Sequence, residues 1–267
     1  MFTSAILADQ VLKGLYGSVG LWNKMNRAYD SLVLGATMDS IDVPINPQLI
    51  ASSTAVGKTH ASRKKAKGDT SSVNVPFVVY TVPMTQEEEE RILMGGALLR
   101  NFLLDANDAL TDSLDAAVIA EAQTTDKVLA WAGAKLSWDD IIALDAKFDD
   151  LKVPRAERIV VIPSAIKADF MAIDVVKQAM AFNRELLEKG IFVINNTQFY
   201  VSADVGKISG KNNIVGIAPR GLAVVLKGFM NRKEDYDTDS RVTYIDYNTG
   251  VAIKLLRKEY AVVSKQP

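Results

Sequence analysis

Apolar and small residues recur with a helical period over residues 86–123. Ile92, Gly96, Leu99, Leu103, Ala106, Leu110, Leu114 and Val118 form one stripe, with Arg100, Asp108, Asp112 and Asp115 between them. Thr85 and Glu88 have the spacing of a capping box, and Glu87, Glu89 and Glu90 suit the positive end of a helix dipole. The pattern predicts one long amphipathic helix of about 50 Å, a strut for smaller elements. The competing reading splits it at Gly95-Gly96 and the acidic residues 105–115 into two ordinary helices. The core stripe is expected to run through Leu99, Leu103, Leu110, Leu114 and Val118.

A looser helical stripe precedes it. Leu7, Val11, Leu15, Leu21, Met25, Tyr29 and Leu32 share a broad face across residues 4–34, loosened by Gly14, Gly17 and Gly20. Trp22 and Tyr29 add contact surface that needs a neighbour, either the chain's own domain or another subunit. Residues 41–84 change character. Pro44 and Pro47 forbid a helix, residues 52–72 hold almost no large apolar side chain, and residues 75–82 are β-branched and aromatic around Pro76. Two extended arms joined by a polar, projecting tip are expected, with the prolines at an edge. Lys58, Arg63, Lys64, Lys65 and Lys67 crowd the tip. It can be a solvated loop, a contact for an acidic neighbouring protein, or a nucleic-acid contact, the last disfavoured because no aromatic residue interleaves the charges.

After the strut, Ser137 and Asp140 form a capping box for a helix with Ile141, Leu144 and Phe148 inward, ended by Val153-Pro154. A buried strand at 158–162 follows, then a helix from Ser164 to about Lys189 with Gly190 as its C-cap. Extended segments at 191–202, 214–218 and 222–226 complete an α+β unit over 125–226. Near the C-terminus, 241–247 and 251–256 alternate around Asn248-Thr249-Gly250, which predicts a hairpin, and residues 260–263 add a strand to it. The mixed charges of 232–239, among them Arg232 and Asp235, belong at a surface and fit a subunit seam.

Composition narrows the chemistry. The 267 residues are 48% hydrophobic and 24% charged, enough for a substantial core, and the formal charge of -1 gives no global drive toward nucleic acid or anionic membrane. The absence of cysteine removes disulfides, thiolate metal sites and cysteine nucleophiles. No secretory signal and no membrane-spanning run is read, so no membrane partner is expected. Gly57-Lys58-Thr59 lacks the earlier glycine of a phosphate-binding loop, since position 52 is Ser52. His60, the one histidine, lies in the polar tip, a poor place to hold a catalytic base. The carboxylates of 235–239 alternate but lack the glycine and final glutamate of a calcium loop. The expectation is no enzyme, no cofactor and no metal; strut, arm and ribbon all suit contacts between many copies.

The chain resembles the major capsid proteins of tailed bacteriophages, a fold shared with bacterial encapsulins. The resemblance rests on Leu114-Asp115-Ala116-Ala117-Val118 near the end of the strut and on Leu136-Ser137-Trp138-Asp139-Asp140. Arg158-Ile159-Val160-Val161-Ile162-Pro163-Ser164 and Phe199-Tyr200-Val201-Ser202 extend it. The resemblance implies an α+β fold with an N-terminal arm (1–40), an extended β-hairpin loop (41–84), a spine helix (85–124), an apical α+β domain (125–226) and a return to a peripheral β-sheet (227–267). It implies a virion shell of pentamers and hexamers around packaged double-stranded DNA, assembled in the bacterial cytoplasm. Scaffolding protein, portal and a decoration protein are the implied partners. The loop would cross a neighbouring subunit, bringing Val75, Phe77 and Val79 to it. An encapsulin-like nanocompartment is the alternative on the same fold, and a soluble nucleic-acid-binding module using 58–67 the alternative of a different class.

Overall fold

The computed structural model describes residues 4–17, 20–33, 39–45, 71–182, 191–194, 197–228 and 231–267. Chain order begins with α1 (Ser4–Gly17), 3-10 turns at Trp22–Lys24 and Asp30–Leu32, β1 (Ser40–Ile45), β2 (Ser71–Pro76) and β3 (Val78–Glu87). The spine is α2 (Glu88–Ala122), followed by β4 (Val128–Ala130), α3 (Trp138–Asp150), β5 (Ile159–Pro163), α4 (Lys167–Ala172) and α5 (Asp174–Phe182). The remainder is β: β6 (Ile191–Ile194), β7 (Thr197–Ser202), β8 (Asn213–Ile217), β9 (Leu222–Leu226), β10 (Asn231–Asp237), β11 (Val242–Leu255) and β12 (Ala261–Lys265).

The expected strut exists as one helix of 35 residues, about 50 Å long. Leu110, Leu114 and Val118 are buried as the stripe requires, Leu103 is only half-buried, and the side chain of Leu99 lies outside the described residues. The helix starts later than expected. Residues 85–87 continue β3 and pair with Tyr244, Thr243 and Val242 of β11, so a sheet ladder takes the backbone groups that a Thr85 capping box would have used.

Two sheets meet at this helix. In the six-stranded sheet, ordered β4-β12-β8-β5-β7-β6, β5 alternates between cores. Ile159 and Val161 face α2 and α1, while Val160 and Ile162 face α3 and α4. The four-stranded sheet has β11 at its centre, with β3 along one side and β10 then β9 along the other. Ile245, Tyr247 and Val251 of β11 join Leu110, Leu114 and Val118 in the same core as Val215 and Val263 of the larger sheet. One apolar cluster therefore fixes both sheets and the spine together. Gly14 serves that packing: a Cβ there would stand 2.2 Å from Asn107 Nδ2, so its absence lets α1 cross closely over α2.

Several local expectations give way to long-range pairing. The proposed reversal at Asn248-Thr249-Gly250 is the middle of the continuous 14-residue strand β11, where Gly250 pairs with Val79 and Asn248 with both Thr81 and Asn231. Gly250 answers a packing need, since a Cβ would lie 2.6 Å from Lys227 Cδ. The real reversal follows β10, where Asp237 accepts the Asp239 N–H at 3.0 Å and the Ser240 hydroxyl at 2.7 Å. The sheets also divide elsewhere than at 226/227. β9 lies in the four-stranded sheet, whereas β12 leaves the C-terminal strands and pairs with β8 and, in parallel, with the short β4.

The helical reading of 4–34 holds only to Gly17, beyond which short 3-10 turns replace it. The helix expected from Ser164 is broken at Ile173, whose backbone is extended, and Ser164 makes no capping bond; residues 183–190 lie outside the described residues. The Ser137–Asp140 capping box is present at the start of α3.

The far end of α3 is tied to β5 by Arg158, which is 1% exposed. Its guanidinium donates to Asp145 Oδ1, to Asp149 Oδ1 at 2.6 Å and to the carbonyls of Asp145 and Val153. Hydrogen bonds from Arg155 and then Arg158 hold the Asp149 carboxyl down at about 2. That value is below the ordinary carboxylate value of about 4, so ionised Asp149 favours the folded chain above that pH, and the contribution is lost as pH falls toward 2. Asp149→Asn should therefore flatten the fall in urea-unfolding midpoint across this acid window, and an unchanged slope would remove Asp149 from the acid response.

Candidate assembly surfaces

The hairpin β1–β2 is antiparallel and in register from Ser40–Pro76 to Ile45–Ser71. Its inner face, Ile41, Val43 and Val75, packs on Ala223, Val225 and Ala252 of β9 and β11, where alanines allow the hairpin to lie close. Asn74 ties the outer face by donating to Ser40 Oγ at 3.0 Å and Asp42 Oδ1 at 2.9 Å. Lys227 Nζ sits 4.8 Å from the centre of the Phe77 ring, and the Phe77 N–H donates to the Asp39 carbonyl. Val75, expected on a neighbour, is thus 2% exposed against its own chain, and Phe77 packs beside it. Val79 does reach the surface at 63% exposure, next to Val78 at 55%. The basic residues Lys58, Arg63, Lys64, Lys65 and Lys67, with His60, lie outside the described residues.

The N-terminal segment is stitched down. Leu21 and Trp22 N–H groups donate to the two oxygens of Asp115 on the spine at 2.9 and 2.7 Å. Burial raises the Asp115 pKa against the opposing effect of those two bonds. Asn26 exchanges backbone bonds with Leu222 and Val224, and Asp30 accepts the Leu226 N–H at 3.0 Å. Trp22, expected at a subunit contact, is fully buried, with the Arg27 guanidinium 5.1 Å from its ring centre; Tyr29 is half-buried. The aromatic surface at 22 is used inside the chain.

The two long edges of the four-stranded sheet differ. β10 presents exposed Lys233, Glu234 and Asp235, charges that discourage unspecific strand pairing, while the side chain of Arg232 lies outside the described residues. β3 presents Val78, Val79, Thr81 and Pro83, with no charge before Glu87. The prolines fit an edge, as their sequence placement implied.

Three polar clefts open between elements. One of about 370 Å³ is lined by Lys24, Asn26, Glu157, Arg158, Gln198 and Arg220. Lys24 donates to Gln198 Oε1 at 2.7 Å, and burial lowers its pKa. Arg220 bridges to Glu157 Oε1 at 2.6 Å yet remains 66% exposed. A second cleft of about 270 Å³ shares Asn26 and Arg220 with the first and extends to Tyr29, Arg257 and Tyr260. The third, of about 320 Å³, contains Asp112, Asp115, Asp204 and Tyr200, whose hydroxyl is pushed up to about 12 by burial and then by the charge of Asp115. Among the described residues no group of three or more His, Asp or Glu is placed to hold a metal ion. No helix there is long and apolar enough to cross a membrane. None of these clefts was marked in sequence, because each gathers single residues from separate stretches.

No protein-family model and no curated protein sequence matches the chain. Solved structures do match. A structure from Mycobacterium phage Che8 superposes with a TM-score of 0.62 at 16% identity, over 92% of this chain and 90% of its own. A virus-like particle from Pyrococcus furiosus gives 0.60 at 15% identity over 97% of both chains. The capsid of an empty GTA particle gives 0.58 at 13%, covering 87% and 86%. At these identities the likeness is one of fold: the chain has the α+β fold of phage capsid proteins.

Proposed function

We propose that this chain is the shell subunit of a tailed phage, assembling through pentamers and hexamers into an icosahedral capsid around double-stranded DNA. The observation that carries the reading is the extent of the likeness, 92% of the chain for the Che8 structure and 97% for the virus-like particle. A surface with an uncharged, apolar edge strand at Val78 and Val79 supports contacts between copies. Scaffolding protein and portal are the partners such assembly would use in the host cytoplasm, with a decoration protein a further one. The role is structural, not catalytic. A second reading, a nanocompartment shell holding protein cargo, is favoured by the 97% mutual coverage with the Pyrococcus furiosus particle.

Electron microscopy of the recombinant full chain, with light scattering across concentration and salt, tests the proposal. Closed uniform particles or five- and six-membered rings are expected. A monomer under every condition, with or without co-expressed scaffold, would overturn it. Nucleic acid inside particles purified from infected cells supports the phage capsid, and protein cargo supports the second reading.

A further inference from the structure

We propose that the subunit is charge-polar along β11 and that copies join head to tail, the acidic end of one seated in the basic cleft of the next; this rests on the self-assembly reading above. The formal charge of -1 conceals the polarity. At the N-terminal end of β11, Glu234, Asp235, Asp237 and Asp239 crowd the turn, and no Lys or Arg stands between 234 and 240. Beside them Glu87 pairs with Val242, and Glu88, Glu89 and Glu90 open α2. Two stretches far apart in sequence are thereby brought to one end of one sheet. Lys233 and Arg241 only partly offset the four carboxylates of the turn. Asp235 and Asp239 are exposed there.

The opposite end has the opposite sign. Past Leu255, Arg257 lines the cleft that continues, through the shared Asn26 and Arg220, to Lys24 and Arg158. Glu157 is the one acid in that lining, and one of its oxygens is held by Arg220. Arg158 adds little to that sign, because Asp145 and Asp149 already hold its guanidinium, and the basic character rests on Lys24, Arg220 and Arg257. Arg158 is 1% exposed, and its Nε has no hydrogen-bond partner among the described residues, although the other two guanidinium nitrogens are bonded. A carboxylate entering the cleft would meet Lys24 and Arg220, with Arg257 further along the same lining.

Geometry decides who the partner is. A 14-residue strand at about 3.3 Å per residue keeps the two ends roughly 40 Å apart, so a chain cannot satisfy its own cleft. The two patches are different surfaces, and a contact between them is heterologous. It propagates from copy to copy and closes a ring when the rotation permits. Opposite charge would fix the direction of joining and make it salt-sensitive.

The lack of cysteine makes a clean test. Full-length protein carrying Pro219→Cys and Thr238→Cys, which leave Arg220 and Asp239 in place, should give a ladder of covalent multimers with a short bismaleimide, while each single variant, whose thiol faces no partner thiol across a heterologous contact, should give none. Arg220→Glu, or Asp235→Lys with Asp239→Lys, should raise the concentration needed for association by about tenfold or more, with thermal unfolding unchanged; combining the reversals in one chain should restore it. Closed particles without a ladder would overturn the polar contact and leave the shell reading standing. A ladder without closed particles would support the contact and overturn the shell. No association at all would overturn both.

Discussion

Replacing Leu114 by Ala should lower the unfolding free energy of the full chain by about 3–5 kcal/mol, whereas Leu104→Ala on the same helix should change it by less than about 0.5 kcal/mol. Leu114 is fully buried where α1, α2 and both sheets share one core, and Leu104 is 54% exposed. Truncating Leu114 removes contacts with several elements at once, and a closely packed junction cannot collapse onto the void without moving two sheets. Urea unfolding of both variants checks it. Equal midpoints would mean that the spine is not where the sheets are joined. Leu103, which the sequence stripe weighted equally, is half-buried, so its truncation belongs between the two.

The spine was legible because its signal is local: three to four residues separate one inward side chain from the next, and the stripe through Leu110, Leu114 and Val118 survives whatever packs on it. The Ser137–Asp140 cap and the buried strand at 159–162 were legible for the same reason. Misreadings arose where distant partners outbid local preference. Thr85 and Glu88 have capping-box spacing, but β11 supplies a ladder to residues 85–87. Asn248-Thr249-Gly250 looks like a turn, yet strands on both sides hold it extended. Residues 261–265 follow the C-terminal strands in sequence, but Ala261, Val262 and Val263 are apolar on both faces, as burial between two layers requires, and the strand pairs in the larger sheet.

The candidate surfaces were less legible than the fold. Trp22 is of a residue type that interfaces favour and Val75 is an apolar residue on an extended arm, and the chain buries both in its own packing. Nothing in either residue's neighbourhood distinguishes an internal partner from an external one; the difference lies with Asp115, Ala223 and Ala252, one to two hundred residues away. The basic cleft draws on isolated charges at 24, 220 and 257. Charge runs are visible in sequence, but a site assembled from single charges becomes visible only when the fold gathers them.

Arg158→Ala should cost about 3–5 kcal/mol, as much as a core truncation, although the residue is the most polar in its surroundings. Asp145 and Asp149 on α3 and the carbonyl of Val153 all turn toward one guanidinium, which also lies 5.6 Å from the Phe148 ring centre. Removing it leaves a buried carbonyl without a donor and two half-exposed carboxylates repelling each other at the end of the helix. Arg158→Lys keeps the charge but should recover less than half of the loss, because an ammonium cannot fork between acceptors on α3 and on the loop after it. Guanidine-free urea unfolding near neutral pH distinguishes the outcomes. If Lys restored full stability, charge alone would hold α3 to β5. A failure of Lys to rescue would establish the planar fork as the element that fixes the end of α3 against the sheet, and with it the wall of the basic cleft.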